Sequence, residues 1–290
     1  MGKEQVNKIA IVFSGGLSRG AIQLAFANEV IKKIGHDRIC VISGASIGAL
    51  NSYATSVDNI EELLDFYWNL DCDNTRNFMA KIRRDLFNKV FNKVEGGKLT
   101  IPTYVNGTKI SGLECQYFCL NSMPREDIKS ALKMSMSFPI INGPLKFNKH
   151  YWIDGGATDN FPVAPTTYYD PDMVIIFHCY PKYYPPAGIF DKLKPGAIVI
   201  DIDVTLSLPK KVTSFALSKD KFQSMIIEGR AKGKEFADFI FSDFEVDKVR
   251  QRCYEYVNQN IEARYIKSGD GLMGLVDVLN ALYDLKENSV

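Results

Sequence analysis

Residues 39–51 read Ile39-Cys-Val-Ile-Ser-Gly-Ala-Ser-Ile-Gly-Ala-Leu-Asn51. The first four residues are apolar and mostly β-branched, which predicts a buried strand. Gly44 and Gly48 then flank Ser46 in a G-x-S-x-G pattern. This pattern is typical of a nucleophile elbow, a strained turn from strand to helix that lifts a serine hydroxyl out of the sheet. A glycine-rich turn with an incidental serine has the same pattern, so the choice between these two interpretations depends on the rest of the chain.

Upstream of the elbow the chain predicts one more strand and one more helix. The apolar run Ile9–Phe13 is a predicted strand, and residues 21–34 are rich in helix formers up to Gly35. Strands that alternate with helices favour a parallel sheet that is covered on both faces. The elbow therefore belongs to the second strand of a predicted α/β protein.

A glycine loop, Ser14-Gly-Gly-Leu-Ser-Arg-Gly20, joins this first strand to its helix. It is not a Walker loop, because Ala21 follows Gly20 where the phosphate-binding lysine would stand. It departs from the dinucleotide fingerprint, because Leu17 occupies the place of the middle glycine. A third use is a set of backbone N–H groups directed at an oxyanion, which Leu17 does not prevent. Adjacent parallel strands would bring this loop beside Ser46.

A second chemical feature is the aspartate of Asp154-Gly-Gly156, which follows residues 147–153, a predicted extended segment. A carboxylate at a strand end with two glycines after it allows close approach of another part of the backbone. An ordinary Asp-Gly turn also explains the pattern.

The remaining segments predict elements whose roles are less specific. Asn106-Gly107 is a hairpin signal, and Asp58 is a candidate cap for a helix that reaches Leu70. A basic amphipathic helix over 77–91 and the proline- and tyrosine-rich loop 180–193 suit either packing on the body or peripheral contact with a membrane. Further predictions are helices over 124–136, 219–241, 246–267 and 271–285, and strands over 173–179 and 197–202.

Composition limits the class of protein. The chain has 290 residues, 46% of them hydrophobic, and a net charge of +1. This net charge provides no general attraction for nucleic acid. The six cysteines show no C-x-x-C pair, which favours reduced cysteines in a cytoplasmic protein. No apolar run approaches the roughly 18 residues of a membrane span. No metal-ligand spacing is present, and the predicted chemistry requires no metal or organic cofactor.

In combination, several motifs resemble those of the patatin-like phospholipase family. The resemblance covers roughly residues 9–238 and implies a three-layer α/β/α sandwich with a mostly parallel sheet and a helical C-terminal part. It is carried by Gly15–Gly20, Gly44–Gly48, Ser135–Pro139, Asp154–Gly156, Asn160–Pro162 and Glu228-Gly-Arg230.

The resemblance implies roles for individual residues. Ser46 would be the nucleophile and Asp154 its base. The amides of Gly15, Gly16 and Leu17 would form the oxyanion hole, supported by Arg19, and the other motif glycines are Gly20, Gly44, Gly48, Gly155 and Gly156. The family has a third glycine where Leu17 stands, so a positive φ at this position would strain the loop.

The resulting expectation is a single domain over 1–290, with a catalytic core at about 8–210 and helices at about 218–286 packed on it. We expect hydrolysis of acyl esters of phospholipids or lysophospholipids. Two alternatives stay open: an α/β-hydrolase triad of Ser46, Asp154 and His178, which occur in that chain order, and a silent lipid-binding protein on the same scaffold. The sequence predicts no nucleic-acid partner and leaves the oligomeric state open.

Overall fold

An eight-stranded, mostly parallel sheet forms the centre of the described structure. The computed structural model describes residues 4–70, 85–139, 143–180, 188–208 and 218–260. The strands are β1 (Ile9–Phe13), β2 (Ile39–Gly44), β3 (Thr103–Lys109), β4 (Glu114–Cys119), β5 (Leu145–Phe147), β6 (His150–Asp154), β7 (Met173–His178) and β8 (Ile198–Asp203). Their order is β5-β6-β3-β2-β1-β7-β8. Strands β6 and β2 pair with different parts of the same edge of β3, and β4 pairs with the other edge. Strands β4 and β6 run antiparallel to β3, whereas β2, β1, β7 and β8 continue from β3 as parallel neighbours.

Seven α-helices are present in the described ranges. They are α1 (Gly20–Ile34), α2 (Ile47–Ser56), α3 (Ile60–Trp68), α4 (Leu86–Val94), α5 (Arg125–Ser135), α6 (Lys219–Ile240) and α7 (246–260). None of these described helices is long and apolar enough to cross a membrane.

A layer of structure covers each face of the sheet. On one face, Phe13 of β1 stacks on Phe177 of β7, and Phe177 in turn contacts Phe26 of α1. On the opposite face, Val12 packs in a second apolar cluster with Phe161, from the segment after β6. Alternate residues of β1 thus enter both layers, which explains why this strand is apolar and buried throughout. The predicted α/β class with a central mostly parallel sheet is confirmed.

Strand β3 brings the ends of two other strands together. Along one edge it pairs with β4 from Tyr104 to Lys109, so β2 and β6 must share the other edge. Strand β2 ends with Gly44 opposite Val105, and β6 ends with Asp154 opposite Gly107. Since β2 is parallel and β6 antiparallel to β3, their carboxyl ends point towards each other on either side of residue 106.

The predicted hairpin at Asn106-Gly107 is wrong. These two residues lie inside β3, and the turn to β4 falls at residues 110–113. The Asn106 amide donates to the carbonyl oxygens of Gly155 and Asp159, and a Cβ on Gly107 would lie 2.0 Å from Met134 Sδ. Both residues therefore serve tertiary contacts, which outweigh their local turn preference.

Two other local predictions need correction. Helix α3 begins at Ile60, and Asp58 is not its cap, because Asp58 has φ +58 and Asn59 precedes the helix. The extended segment predicted over 147–153 is two strands, β5 and β6, joined by a turn at Asn148 and Lys149. Both turn residues have positive φ, the geometry that a two-residue hairpin favours.

Several predicted segments lie partly or wholly outside the described residues. Of the basic helix predicted over 77–91, residues 85–91 are described, and all of these except Asp85 belong to α4. Of the loop 180–193, residues 181–187 lie outside the described residues. Within that loop Ile189 is buried and Phe190 is 38% exposed. The predicted helix over 271–285 lies entirely outside the described residues. Helix α6 packs on α1 through Gly233, where a Cβ would lie 2.4 Å from the Phe26 carbonyl oxygen.

Candidate active site

Ser46 stands at the junction of β2 and α2 in a strained conformation. Its φ of 55° and ψ of −128° are unusual for a non-glycine residue. Gly44 and Gly48 make this tight turn possible, because a Cβ at Gly44 would lie 2.2 Å from the Gly48 carbonyl oxygen, and one at Gly48 2.4 Å from that of Phe13. A strained serine between two sterically required glycines is the geometry of a nucleophile elbow.

The Ser46 hydroxyl contacts the carboxylate of Asp154 directly. Ser46 Oγ donates to Asp154 Oδ2 at 2.6 Å, and the amide of Gly156 donates to Asp154 Oδ1 at 2.8 Å. The two side-chain positions are brought together by the meeting of β2 and β6 on β3. Both residues are buried, with 9% of Ser46 and 4% of Asp154 exposed.

Burial also changes the acidity of this carboxyl group. Desolvation raises the pKa of Asp154 from 3.8 to about 6, and the hydrogen bonds from Ser46 and Gly156 limit the rise. A carboxylate with this pKa is ionised at neutral pH and is a better proton acceptor than an exposed aspartate.

The glycine loop lies against the elbow. A Cβ on Gly15 would stand 2.8 Å from Ser46 Cβ, so the backbone of the loop runs beside the serine. The Gly15 amide donates to Asn160 Oδ1 at 2.9 Å, which occupies one of the three N–H groups expected to face an oxyanion. Within the described residues, the amides of Gly16 and Leu17 have no protein acceptor. Both amides belong to the predicted oxyanion hole, and this role stays a prediction.

Leu17 occupies a conformation that favours glycine. Its φ is +50°, in the left-handed region, where a side chain other than glycine costs about 1–2 kcal/mol. The next part of the loop is fastened by Arg19, which donates to the Cys179 carbonyl oxygen at 3.0 Å and lies over the Tyr180 ring. Arg19 therefore anchors the loop to the end of β7.

The three remaining motif glycines are placed around this centre. Gly20 begins α1 and lies against Ile47 of the elbow helix. Gly155 and Gly156 begin a short 3-10 helix directly after Asp154, and a Cβ on Gly155 would lie 2.1 Å from Asn106 Oδ1.

Three polar side chains without a role in the sequence-based prediction hold the site together. Asn160 accepts from Gly15 and lies close to Gly156, so it connects the glycine loop with the segment after Asp154. Ser135 Oγ accepts from the Ser46 amide at 3.2 Å. Asn106 binds the carbonyls of Gly155 and Asp159, as described above. Ser135 and Asn160 stand in motif segments of the sequence, but nothing in those segments shows which atoms they contact.

A second buried carboxylate supports the same segment. Asp159 accepts from Tyr117 Oη at 2.6 Å and from the Phe161 amide at 2.9 Å. Burial raises the pKa of Asp159 to about 6, although both hydrogen bonds act to lower it. Asp159 is therefore hydrogen-bonded to Tyr117 and Phe161, whereas the carboxylate that binds Ser46 is that of Asp154.

His178 does not join the serine and the aspartate. Its Nδ1 lies 2.9 Å from the Tyr180 carbonyl oxygen, and its Nε2 lies 3.3 Å from Asp201 Oδ2. Both ring nitrogens are therefore occupied at the end of β7. Among the described residues, no three His, Cys, Asp or Glu side chains converge to hold a metal ion.

Comparison with known proteins assigns the chain to a class. A family model described as patatin-like phospholipase matches residues 11–167, more than half of the chain. This region contains the glycine loop, the elbow, Asp154 and Asn160. The chain belongs to the patatin-like phospholipase family.

Individual relatives match only part of their own length. The probable lipid hydrolase 463L of Invertebrate iridescent virus 6 is 29% identical over 199 residues, which are 58% of this chain and 63% of the viral protein. The putative patatin-like phospholipase domain-containing protein M110.7 of Caenorhabditis elegans is 25% identical over 173 residues, 54% of this chain and 15% of that protein. Human GIVD cytosolic phospholipase A2, solved with methyl gamma-linolenyl fluorophosphonate, has a TM-score of 0.49 and 10% identity, covering 90% of this chain and 60% of that one. The chain thus spans less than two-thirds of the length of each of these three proteins.

Proposed function

We propose that this chain is a serine hydrolase that cleaves the carboxylic esters of phospholipids or lysophospholipids through Ser46, Asp154 and an acyl-enzyme. The observation that carries the proposal is the direct hydrogen bond of 2.6 Å from Ser46 Oγ to Asp154 Oδ2 at a strained elbow. Membership of the patatin-like phospholipase family and the similarity to a probable lipid hydrolase support the substrate class.

In the first step, Ser46 Oγ attacks the ester carbonyl carbon while Asp154 takes the hydroxyl proton. The contact at 2.6 Å lets the proton pass directly between the two residues. Asp154 then gives this proton to the leaving alcohol as the carbon–oxygen bond of the ester breaks. The acyl group stays on Ser46 as an ester.

Developing negative charge on the carbonyl oxygen needs preorganised donors. The amides of Gly16 and Leu17 are the candidates, because they lie in the loop beside Ser46 and have no acceptor within the described residues. The position of Ser46 before the first turn of α2 adds the positive end of the helix dipole. Gly15 takes part indirectly, since its amide fixes the loop on Asn160.

In the second step, water attacks the acyl-enzyme. Asp154, now ionised again, takes a proton from the water, and Ser46 leaves as the alcohol with that proton. The raised pKa of about 6 suits both directions of transfer near neutral pH.

The test is hydrolysis of phospholipids, lysophospholipids, acylglycerols and short p-nitrophenyl esters by the wild-type chain and by Ser46→Ala. We expect release that the substitution abolishes, together with Ser46-dependent labelling by a fluorophosphonate probe. Absence of both release and labelling would refute the enzyme and favour a silent lipid-binding protein on this scaffold.

His178→Gln separates the dyad from a triad. We expect activity within about threefold of wild type, because the His178 ring is bonded to Tyr180 and Asp201 and not to Ser46. A folded His178→Gln variant that loses activity like Ser46→Ala would refute the dyad.

A further inference from the structure

Two neighbouring turns expose apolar side chains at one end of the sheet. The turn between β3 and β4 carries Ile110, which is 39% exposed, and Leu113, which is 66% exposed. Beside it on β6, Tyr151 is 58% exposed. The amide of Ile110 donates to the Tyr151 carbonyl oxygen at 3.0 Å, so the two turns are joined side by side.

Leu113 is an unusual residue for a turn tip. It has φ +51 and follows Gly112, which has φ +95. Glycine, asparagine and aspartate are the residues that such positions favour, because they tolerate left-handed geometry and water. A leucine here is strained and exposed at once, which points to a use for its side chain outside the folded core.

Two lysines lie beside these apolar side chains. Lys146 lies opposite Tyr151 in the pairing of β5 with β6, and Lys149 stands in the turn that follows. Lys109, at the end of β3, pairs with Trp152 and therefore lies on the other face of the sheet. None of the three forms an ion pair within the described part of the chain. Over 109–114 and 145–151 the only acidic residue is Glu114, so the local charge is positive although the whole chain is nearly neutral. We call this surface the hairpin patch, defined by Ile110, Leu113, Lys146, Lys149 and Tyr151.

We propose that the hairpin patch docks on the surface of an anionic lipid bilayer, an inference that rests on the proposed lipid hydrolase function for its purpose. Apolar tips that enter the headgroup region and lysines that face anionic headgroups are the usual combination for binding at a membrane interface. In this protein the exposed apolar side chains and the lysines lie on or next to two adjacent turns.

The location of the patch relative to Ser46 agrees with this use. Asp154 lies opposite Gly107 on β3, and Ile110 is three residues further along the same chain. At about 3.3 Å per residue in a strand, the dyad is on the order of 10 Å from the patch. A bilayer on the patch would therefore lie beside the end of the sheet that carries the serine.

The test is binding to vesicles of phosphatidylcholine alone and of phosphatidylcholine with about 30% phosphatidylserine, measured by flotation with the Ser46→Ala chain so that no lipid is consumed. Lys146→Gln with Lys149→Asn is expected to weaken binding to anionic vesicles about 25-fold, since each lysine contributes about fivefold near an anionic surface. Leu113→Asn is expected to weaken it about tenfold, and asparagine suits the left-handed turn.

Matched controls change the same chemistry on α6, at another part of the surface. Lys232→Gln with Lys234→Gln removes two exposed lysines, and Ile227→Gln removes an apolar side chain that is 59% exposed. Both controls are expected to bind anionic vesicles within about twofold of the parent chain. Circular dichroism and urea midpoints establish that all variants are folded.

The outcomes separate this inference from the proposed function. The docking proposal is supported if both patch variants lose vesicle binding. The same substitutions, made in the chain with Ser46 restored, should keep hydrolysis of a monomeric p-nitrophenyl ester. A parent chain that does not bind anionic vesicles, or patch variants that bind like the controls, overturns it. Equal binding to vesicles of phosphatidylcholine alone would refute the part assigned to the lysines. If vesicles bind through the patch but no ester is hydrolysed, the proposed function fails and the docking surface stands.

Discussion

Replacement of Asp154 by asparagine tests whether the carboxylate beside Ser46 is destabilised by burial. In the variant, the amide Oδ1 accepts from Gly156 and Nδ2 donates to Ser46 Oγ, so both hydrogen bonds of the wild-type side chain have a counterpart. The change removes a titratable group and its charge at almost constant volume. We expect a folded chain without esterase activity.

The magnitude follows from the raised pKa of Asp154, about 6 in the folded chain against an ordinary 3.8. Because the folded state favours the protonated form, this contribution to stability is fully present below pH 3.8 and is lost as the pH rises through 6. The complete loss is about 3 kcal/mol, and about 2 kcal/mol of it falls between pH 4.5 and 8. Asparagine does not titrate, so the variant should gain about 2 kcal/mol relative to wild type over this range.

The assay is urea unfolding of both chains from pH 4.5 to 8, followed by far-UV circular dichroism. The contributions of other titrating groups cancel when the free energy of unfolding of one chain is subtracted from that of the other. This holds for Asp159, whose pKa is also raised to about 6. A contrast is Asp172→Asn. Burial acts to raise the pKa of Asp172, but hydrogen bonds from Lys194 and two backbone amides outweigh it and lower the pKa. Because both the ordinary pKa of 3.8 and the lowered pKa of Asp172 lie below the measured range, the stability of that variant relative to wild type should be nearly constant from pH 4.5 to 8.

The wild-type activity profile provides a second measurement of the same group. If Asp154 is the base, kcat/KM for a soluble ester should rise with an apparent pKa of about 6 and level off above pH 7. An Asp154→Asn chain whose stability relative to wild type is independent of pH, or falls as the pH rises, would refute the assignment of a raised pKa to burial.

Substitutions of Gly15, Leu17 and Asn160 probe the loop and its support. Gly15→Ala should lower kcat more than 100-fold, because the new Cβ would stand 2.8 Å from Ser46 Cβ, whereas Gly97→Ala, with no atom within 4 Å of its Cβ, should stay within twofold. Leu17→Gly should leave the free energy of unfolding within about 1 kcal/mol of wild type. Leu17→Val should lower the free energy of unfolding by more than about 1 kcal/mol, because a β-branched residue fits a φ of +50° poorly. Equal stability of the two variants would contradict this backbone conformation. Asn160→Asp keeps an acceptor for the Gly15 amide but brings a second charge near the dyad's carboxylate, so the rise of kcat/KM should move to higher pH, and an unchanged profile would exclude this proximity.

Local patterns were sufficient for the elements that depend on their own sequence. The strand Ile9–Phe13, the helix up to Ile34 and the elbow glycines were predictable because apolar runs and glycine spacing reflect burial and crowding within one βα unit. Asn106-Gly107 shows where this reasoning fails: its turn preference is local, but its contacts are with Gly155, Asp159 and Met134, which lie far away in sequence.

The sequence by itself determined which side chains are available for chemistry: a serine between Gly44 and Gly48, an aspartate before two glycines, and a loop of backbone donors. Only the tertiary structure decided that β2 and β6 end head to head on one edge of β3, which places Ser46 Oγ 2.6 Å from Asp154. It also decided that the Gly15 amide is bound to Asn160, so that the amides of Gly16 and Leu17 are the donors we propose for the oxyanion. The physical reason is that strand pairing and hydrogen-bond partners depend on residues more than 100 positions apart in the chain, as for Ser46 and Asp154, whereas periodicity and turn preference report only on neighbours.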